Sequence, residues 1–233
     1  MSLRAPASQT LALSIIVPVL NEAAGIVAAL TALLPLRARG AEVIVVDGGS
    51  RDASVALATP LADRVLVAAG GRGQQMNAGA ALARGELLLF LHADTLLPPA
   101  ADVLMRDAIG AQPGWGRFDV AIEGRSRMLG VIAMMMNLRS RWSGIATGDQ
   151  AIFVGRTLFE RVGGFPQQPL MEDVEISRRL CAILRPVCLQ ARVRTSGRRW
   201  ESRGIWRTIL LMWSLRWRYW RGESALQLWK DYR

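Results

Sequence analysis

Glu86-Leu87-Leu88-Leu89-Phe90-Leu91-His92-Ala93-Asp94 is the stretch that decides the fold. Its unbroken apolar run, 87–91, lies between Arg84-Gly85 and the turn pair Pro98-Pro99. A short apolar run between turn signals is typical of a strand that is buried on both faces in the middle of a largely parallel sheet. Ligands of such sheets bind at the carboxyl ends of the strands, so a binding site is expected at His92 and Asp94.

His92 and Asp94 are two residues apart, and on an extended chain both side chains would point the same way. An imidazole and a carboxylate placed together in this way would bind one small cation. The alternative is a solvated turn at the end of the strand, in which the carboxylate has no chemical role.

The first half of the chain alternates strand and helix patterns. Its strand-like runs are 13–17, 42–46, 64–67 and 87–91. Its helical segments are 53–58, 74–83 and 23–34, the last with Asn21 as N-cap and with Pro35 and Gly40 at its end. This alternation predicts an α/β fold with a doubly wound, mostly parallel sheet and helices on both faces.

The second half is less regular. Strands are predicted at 116–122, 151–154 and 187–193, and helices at 101–109, 127–139 and 172–184. Basic, tryptophan-rich helices are predicted at 203–220 and 224–232. No repeat or linker interrupts the chain, so residues 1–233 are predicted to form a single domain.

Composition allows a sizeable core and points to acidic partners. Of the 233 residues, 51% are apolar, and the net charge is +10 with Lys230 as the only lysine. Between Gln190 and Arg233 there are 11 basic residues and 3 acidic ones. Nucleotides, nucleic acid and anionic lipid are all compatible with this excess.

Targeting signals and cysteines favour a cytoplasmic protein. Arg4 precedes the apolar stretch 11–20, but Pro18 interrupts that stretch and no small-residue cleavage pattern follows, so no signal peptide is expected. The apolar run 128–136 is too short to span a bilayer. Cys181 and Cys188 match no metal spacing, and reduced thiols are expected.

Two glycine-rich stretches follow predicted strands. Asp47-Gly48-Gly49-Ser50-Arg51-Asp52 permits close approach of a ligand to the backbone, with Asp47 facing the same crevice as Asp94; the alternative is a tight turn in which Ser50 caps the next helix. Gly70-Gly71-Arg72-Gly73 is not a dinucleotide fingerprint, because position 76 is methionine. Arg72 would still neutralise a phosphate at the start of its helix.

Two charged stretches in the second half could be either structural or functional. Glu172-Asp173 opens a predicted helix, where acids are common for electrostatic reasons alone. Arg198-Arg199-Trp200 is either a solvated basic run or a guanidinium clamp for a diphosphate with Trp200 packed behind it. His92 is the sole histidine and has no evident nucleophile partner, which argues against acyl-transfer chemistry.

The order of these motifs resembles glycosyltransferase family 2. The matching stretches are Pro18-Val19-Leu20-Asn21-Glu22, Asp47–Asp52, His92-Ala93-Asp94, Gly163-Gly164-Phe165, Glu172-Asp173 and Arg199-Trp200. The resemblance implies a GT-A fold, with a nucleotide-sugar-binding half at 11–98, an acceptor and catalytic half at 99–200, and a basic helical tail at 201–233. Gly71-Arg72-Gly73-Gln74-Gln75-x-Asn77 is similar to a subgroup of small bacterial members associated with radical-SAM and selenodomain proteins.

The resemblance implies an inverting transfer of a sugar from a nucleotide-diphosphate sugar, with a leaning toward UDP, to a hydroxyl acceptor. Asp173 of the Glu172-Asp173 pair would be the general base. The implied donor-binding residues are Pro18, Glu22, Asp47, Arg72, Ala93, Arg199 and Trp200. The implied acceptor-side residues are Gly148, Asp149 and Gln150.

The resemblance also implies a divalent metal, Mg²⁺ or Mn²⁺, held by Asp94 with His92 beside it. His92 departs from the family pattern, which more often has aspartate there. Imidazole is a ligand for Mn²⁺ but suits Mg²⁺ poorly. Alternatively, His92 contacts ribose or only orients Asp94.

The tail has three competing roles. Its tryptophans, interleaved with arginines over 203–233, would cover the sheet, pack against a homodimer partner, or place the enzyme on the inner membrane surface near a lipid-linked acceptor. Two rival functions stay open: a nucleotidyltransferase of similar fold, and a non-catalytic binder of nucleic acid or anionic membrane. With the transferase as the leading hypothesis, no nucleic-acid partner is expected.

Overall fold

A computed structural model describes residues 12–110 and 114–232. Residues 1–11 lie outside the described residues, and with them Arg4 and Leu11, the first residue of the stretch on which the signal-peptide prediction rests. The last residue of the tail, Arg233, also lies outside them.

The first half forms four strands with helices between them. The strands are β1 (Leu13–Val19), β2 (Glu42–Asp47), β3 (Arg64–Val67) and β4 (Leu87–Phe90). The helices are α1 (Ile26–Thr31), α2 (Leu34–Ala38), α3 (Ser54–Ala58) and α4 (Arg72–Leu82). All four predicted strands are confirmed.

The second half adds four strands and seven helices among the described residues. The strands are β5 (Thr95–Leu96), β6 (Trp115–Glu123), β7 (Ile152–Gly155) and β8 (Val187–Ser196). The helices are α5 (Ala101–Ile109), α6 (Met128–Ser143), α7 (Arg156–Arg161), α8 (Glu172–Cys181), α9 (Arg198–Arg203), α10 (Ile205–Trp220) and α11 (Ala225–Tyr232). The short elements β5, α7 and α9 were not predicted.

The strands of both halves form one eight-stranded sheet in the order β3-β2-β1-β4-β7-β6-β8-β5. The first four strands are parallel, and β6 pairs in parallel with β8. Strand β7 is antiparallel to both its neighbours, and β5 is antiparallel to β8. The predicted α/β fold with a largely parallel sheet is confirmed, and β4 lies near its middle with every residue buried.

The core lies on both faces of this sheet. Leu87 and Leu89 pack on one side with residues of α1, α5 and α6, while Leu88 and Phe90 pack on the other with residues of α4, α7 and α8. Successive strand residues point to opposite faces, so an unbroken apolar run is required where helices cover both faces. The structure is therefore a three-layer α/β/α arrangement.

The first predicted helix was wrong at both ends. Asn21 is not an N-cap: its backbone is left-handed (φ 55°), and its own N–H is bonded to the Ser50 hydroxyl. Helix α1 begins only at Ile26, because side chains of the next crossover bind the backbone before it. Pro35 does not end a helix but lies in the first turn of α2, where its missing N–H costs no hydrogen bond.

The tail departs from the prediction in two respects. The helix predicted at 203–220 begins only at Ile205, after Gly204 with φ 84°, and Arg203 belongs instead to the separate helix α9. The α10 tryptophans do not cover the sheet, so that interpretation was wrong: they face solvent. The opposite face of α10, which includes Leu215, packs against Met171 and against Leu228 of α11.

No helix in the part of the chain that the structure describes is long and apolar enough to cross a membrane. Cys181 and Cys188 are both free thiols.

Candidate functional site

Two loops at the carboxyl ends of β1 and β2 are tied together by hydrogen bonds. The Ser50 hydroxyl accepts the Asn21 N–H at 2.8 Å, and Asn21 Oδ1 accepts the Arg51 N–H at 2.9 Å. The Ser54 hydroxyl accepts the Glu22 N–H at 2.8 Å. These bonds fix the loop that carries Glu22 against the loop that carries Asp47, so the predicted nucleoside-binding residues border one crevice.

Asp47 is buried and its carboxylate is bonded within its own loop. It accepts the N–H groups of Gly49 and Ser50 at 2.9 and 2.8 Å, and also the Ser50 hydroxyl proton. The prediction that Ser50 caps α3 was wrong, since its hydroxyl is bonded to Asp47 and α3 has no side-chain cap. Asp47 therefore shapes the loop before any ligand arrives.

Gln75 is a structural residue that the sequence interpretation missed. Its amide nitrogen donates to the carbonyls of Val19 and Val46, at 2.9 and 2.8 Å, at the ends of β1 and β2. The amide is buried, and it sets the spacing of the two strand ends that form the crevice. A glutamine three residues after a glycine-arginine pair gave no recognisable signal for this role.

A small pocket, a cavity of about 10 Å³, lies between α4, the end of β4 and the start of α8. Its lining residues are Arg72, Met76, Phe90, His92, Gly148, Ile152, Phe165, Glu172 and Asp173. This volume corresponds to about one water molecule and is far below the range for ligand pockets, about 300–1,000 Å³. The lining side chains therefore lie close together around a cavity that is too small for a sugar ring.

His92 has a partner that the sequence did not reveal. Its Nδ1 lies 3.2 Å from Asp149 Oδ1, across 57 positions of the chain. Its Nε2 is buried and has no hydrogen-bond partner, and it lies against Gly148. A side chain at position 148 would collide with this ring, because an added Cβ would be 2.2 Å from Nε2.

Asp94 is exposed, and its carboxylate accepts a long hydrogen bond of 3.4 Å from the Thr95 hydroxyl. The chain turns at this point, since the Thr95 N–H is bonded to the His92 carbonyl. The expectation that the chain is extended at 92–94, so that the His92 and Asp94 side chains point the same way, was therefore wrong. The alternation that would aim both side chains in one direction does not apply inside a turn.

Glu172 and Asp173 open α8 and point into the pocket. Asp173 Oδ2 accepts the Gly148 N–H at 3.0 Å, which connects the start of α8 to the Gly148–Gln150 turn. Met171, the residue before this pair, has a left-handed backbone at φ 63°. Such a conformation costs a non-glycine residue about 1–3 kcal/mol and is found mainly where function requires it.

Arg72 lies among the carboxylates of the pocket. Its Nη1 is 3.6 Å from Glu172 Oε1. Partial burial would lower the pKa of Arg72, but the charges of Glu172, Asp149 and Asp173 raise it above its ordinary value. Partial burial would likewise raise the pKa of Asp149, yet the His92 hydrogen bond and charge, with Arg72 and Arg199, bring it below its usual range. Arg72 is thus a permanent cation at the pocket.

The pKa of Glu172 is shifted in the direction opposite to that of Asp149. Burial, with the negative charge of Asp173, raises the pKa of Glu172 although Arg72 opposes the shift. A carboxyl with a raised native pKa stabilises the fold below its unfolded pKa, about 4.3, and this contribution is lost as the pH rises through the native value.

Glu172→Gln is therefore expected to raise the melting temperature at about pH 8 and to leave it unchanged near pH 4. The lost Arg72 contact opposes this gain only weakly, because a half-exposed ion pair contributes about 0–1 kcal/mol. Thermal unfolding across this pH range is the measurement. Glu160→Gln, at a carboxylate that is 64% exposed, is the matched control. A variant less stable than wild type at both pH values would contradict the prediction.

The Arg198-Arg199-Trp200 run borders the same crevice. Arg198 Nη2 lies 3.6 Å from Glu22 Oε2, and Arg199 is exposed with its guanidinium 5.8 Å from the centre of the Tyr232 ring. Trp200 packs against the main core cluster. This placement favours the predicted clamp, with the indole packed behind the arginines, over an unattached basic run.

Arg139 of α6 is a second residue that the sequence interpretation missed. Its Nε and Nη2 are buried and have no hydrogen-bond partner. Burial lowers the pKa of Arg139, and the charge of Asp173 opposes this shift. Gln150 bonds to Ser140 beside it, so Arg139 borders the Gly148–Gln150 turn.

Comparison with known families gives a match over the first half of the chain. The sequence model of glycosyl transferase family 2 matches residues 14–126, which include both crevice loops and the His92 turn. The match extends over β1 to β6 and covers just under half of the sequence. Over these elements the chain is similar to glycosyl transferase family 2.

Solved structures share the fold of this chain at low identity. PcManGT, a mannosyltransferase from Pyrobaculum calidifontis solved with GDP-Man and Mn²⁺, is 23% identical, with a TM-score of 0.60 over 80% of this chain and 57% of its own. S. aureus TarS 1-349, solved with UDP-GlcNAc, is 21% identical, with a TM-score of 0.61 over 79% and 58%. A mycobacterial protein is 19% identical, with a TM-score of 0.58 over 81% and 66%.

These structures confirm the predicted GT-A fold. The chain spans less than two thirds of the length of each. The comparison with curated proteins gives no match.

Proposed function

We propose that the chain is a member of glycosyltransferase family 2 and transfers a sugar from a nucleotide-diphosphate sugar to a hydroxyl acceptor, with inversion and with a divalent metal. The observation that carries the proposal is the convergence of Arg72, Glu172 and Asp173 on one pocket beside the two crevice loops. A cation for the leaving group and a carboxylate for the acceptor proton are the two groups that this reaction requires.

The nucleoside part of the donor would occupy the crevice between the loops that carry Pro18, Glu22 and Asp47. Their mutual hydrogen bonds support this, because a loop that is already ordered loses little entropy when it binds. We propose UDP as the first nucleotide to test. The related structures were solved with GDP-Man and with UDP-GlcNAc, so the panel must contain both bases.

The diphosphate would lie between Arg72 and the Arg199-Trp200 pair, with the backbone at Ala93 nearby. Arg72 lies at the start of α4, where helix N–H groups also favour an anion. Guanidinium groups suit this role because each presents a fork of N–H donors to phosphate oxygens. They would stabilise the charge that develops on the leaving diphosphate.

The residues present fit a divalent metal whose remaining ligands would come from the substrate. Among residues 12–110 and 114–232 no three histidine, cysteine or acidic side chains form a ready-made site. Asp94 is an exposed carboxylate and His92 has a free ring nitrogen, Nε2. Mg²⁺ and Mn²⁺ at phosphate sites are commonly held by one or two side chains plus phosphate oxygens. Such an ion would act as a Lewis acid on the leaving diphosphate.

Asp173 would take the proton of the acceptor hydroxyl as that oxygen attacks the sugar. An alcohol has a pKa far above 7, so one well-placed carboxylate gives about 10²–10⁴-fold acceleration. A single base on one side of the sugar corresponds to direct displacement and hence to inversion. Glu172 would hold Arg72 in place through their contact, 3.6 Å between Nη1 and Oε1.

The acceptor would bind on the side of Gly148, Asp149 and Gln150. The Gly148 N–H already fixes one oxygen of Asp173, and Gln150 completes a capping box with Thr147. A lipid-linked hydroxyl compound is the acceptor class that we propose, and we propose a cytoplasmic enzyme at the inner face of a membrane.

We also propose placement in the small bacterial subgroup associated with radical-SAM and selenodomain proteins. The support is the Gly71–Asn77 motif, in which two of the polar residues have structural roles. Gln75 joins β1 to β2, and the Asn77 side chain bonds to the backbone of Phe165 through both of its polar atoms.

Calorimetry with UDP, GDP, ADP and CDP, each with and without Mn²⁺, tests the proposed donor site. We expect one nucleotide to bind with an affinity that rises at least about tenfold with Mn²⁺, since Asp94 would help to hold an ion that neutralises the diphosphate. Asp94→Asn should lose that rise but keep the metal-free affinity. Asp107→Asn, at an exposed carboxylate of α5, is the matched control.

Two outcomes would overturn the donor site. Binding to all nucleotides that depends steeply on salt and not on metal would indicate a general polyanion binder. Incorporation of a nucleoside triphosphate with release of pyrophosphate would indicate a nucleotidyltransferase instead.

A further inference from the structure

Helix α10 exposes a tryptophan stripe, formed by Trp206, Leu210, Trp213, Trp217 and Trp220. These side chains are 67%, 66%, 65%, 55% and 83% exposed, respectively. They follow each other at steps of four and three residues, which places them on one face of the helix. Large apolar side chains that share one exposed face indicate an interaction surface rather than scattered surface residues.

The stripe lies opposite the face by which α10 is attached to the protein. Thr208 and Leu215 are buried, and Leu211, Met212 and Tyr219 pack against the cluster around Met171 and Leu228. The helix is therefore held in place independently of the stripe. An ordered helix with one packed face presents the other face as a fixed, preformed surface.

Charge distinguishes between the partners that would cover such a face. Arg207 and Arg221 are exposed beside the stripe, and the Arg221 guanidinium lies 4.8 Å above the Trp217 ring. Two acids of the tail, Glu223 and Asp231, are both engaged by one cation, Arg218. The positive charge that remains next to the stripe requires an anionic partner.

We propose that the tryptophan stripe docks the protein on the surface of an anionic lipid bilayer, with α10 lying in the plane of the interface. Indole rings concentrate at the headgroup level of bilayers, and basic amphipathic helices bind anionic lipid surfaces. Helix α10 is 16 residues long, about 24 Å at 1.5 Å per residue, and it does not span the bilayer.

A second copy of the chain fits the stripe less well. Stripe-to-stripe packing would bring Arg207 and Arg221 of one copy next to the same residues of the other. Like charges that face each other across an interface cost several kcal/mol, whereas an anionic membrane turns the same charges into attraction.

Docking has a consequence for the active site. Leu215, on the inner face of α10, packs against Met171, which directly precedes Glu172 and Asp173. The catalytic carboxylate would thus lie within about one or two helix diameters of the membrane, 10–12 Å each, where a lipid-linked hydroxyl can reach it. This consequence rests on the proposed function, whereas the docking itself does not.

Co-sedimentation of the full chain with vesicles tests the proposal. The vesicles are pure phosphatidylcholine, or phosphatidylcholine with about one-third phosphatidylglycerol, at low and at physiological salt. We expect binding only to the anionic vesicles, weakened by salt. A variant with Trp206→Ser, Trp213→Ser, Trp217→Ser and Trp220→Ser should bind at least about tenfold more weakly.

Controls separate docking from folding and from catalysis. Leu57→Ser with Val103→Ser removes two exposed apolar side chains elsewhere, 36% and 45% exposed, and should leave vesicle binding unchanged. Thermal unfolding must show that the tryptophan variant is folded. Asp173→Asn should bind vesicles like wild type, so failure of the proposed chemistry and failure of docking are distinguishable.

Three results would overturn the proposal: no binding of wild type to anionic vesicles, equal binding by the tryptophan variant, or a wild-type dimer that the variant converts to monomer while vesicle binding is absent. The last result would assign the stripe to a second copy of the chain.

Discussion

Asp173→Asn is expected to lower turnover by about 10²–10⁴-fold and to leave the affinity for the nucleoside diphosphate nearly unchanged. Asparagine has the same shape as aspartate, and its amide oxygen can still accept the Gly148 N–H now bonded to the carboxylate at 3.0 Å. The acceptor-side turn should therefore remain in place. What the variant loses is the base. The measurement is nucleoside diphosphate release from the donor, together with calorimetric affinity.

Asp107→Asn, which removes an exposed carboxylate on α5, is the matched control and should have wild-type turnover. Undiminished turnover in Asp173→Asn would remove that residue from the chemistry. Parallel loss of turnover and nucleotide affinity would make Asp173 a structural residue of the pocket.

Gly148→Ala is expected to reduce turnover about 100-fold or more and to lower the free energy of unfolding by about 1–3 kcal/mol. The new Cβ would be 2.2 Å from Nε2 and 2.4 Å from Cε1 of His92, so the ring must move. Movement of the ring breaks its contact with Asp149, and movement of the backbone instead breaks the N–H bond to Asp173. Steady-state turnover and chemical denaturation measure the two effects.

A double-mutant cycle identifies the cause. If the collision with the imidazole is responsible, His92→Ala should restore much of the stability that Gly148→Ala loses, with a coupling of about 1–3 kcal/mol. Gly130→Ala is the control for glycine replacement: nothing lies within 4 Å of its added Cβ, and alanine favours a helix by about 1 kcal/mol. Purely additive effects at 92 and 148 would show that the clash does not occur.

The tail has a structural role that its composition does not suggest. Met171 adopts a left-handed backbone directly before the proposed catalytic pair and packs against Leu215 and Leu228 of α10 and α11. Strain of this kind persists only where surrounding packing holds it. Removal of residues 203–233 would therefore disturb Glu172 and Asp173 as well as the tryptophan stripe. Substitutions on the tryptophan stripe are for this reason the sharper test of docking.

Local patterns were sufficient for the architecture. Successive residues of β4 point to opposite faces of the sheet and all are apolar, so helices are required on both sides. The alternation of strands with helices requires parallel crossover connections. Boundaries were less accurate where distant side chains bind the backbone. The start of α1 depends on Ser50, Ser54 and Asp52. No propensity at residues 21–25 contains that information.

The residues of the candidate site likewise fall into those that the sequence indicated and those that only the structure revealed. Arg72, Glu172 and Asp173 could be selected from the sequence because motif order places them at strand ends and helix starts, and the structure brings them to one pocket. The pairing of His92 with Asp149, the unpartnered Arg139 and the two bonds of Gln75 had no local signature. Each depends on the relative position of elements that are far apart in the chain.

The amino-acid sequence by itself determined the α/β class, the positive charge of the tail and the identity of the acids available for catalysis, because these follow from periodicity and composition. Tertiary structure alone decided which way side chains point. It turned Asp47 into its own loop, aimed His92 at Asp149 and left the α10 tryptophans facing solvent. The physical reason is that orientation is set by long-range packing and hydrogen bonds, which bring together residues without any pattern in sequence.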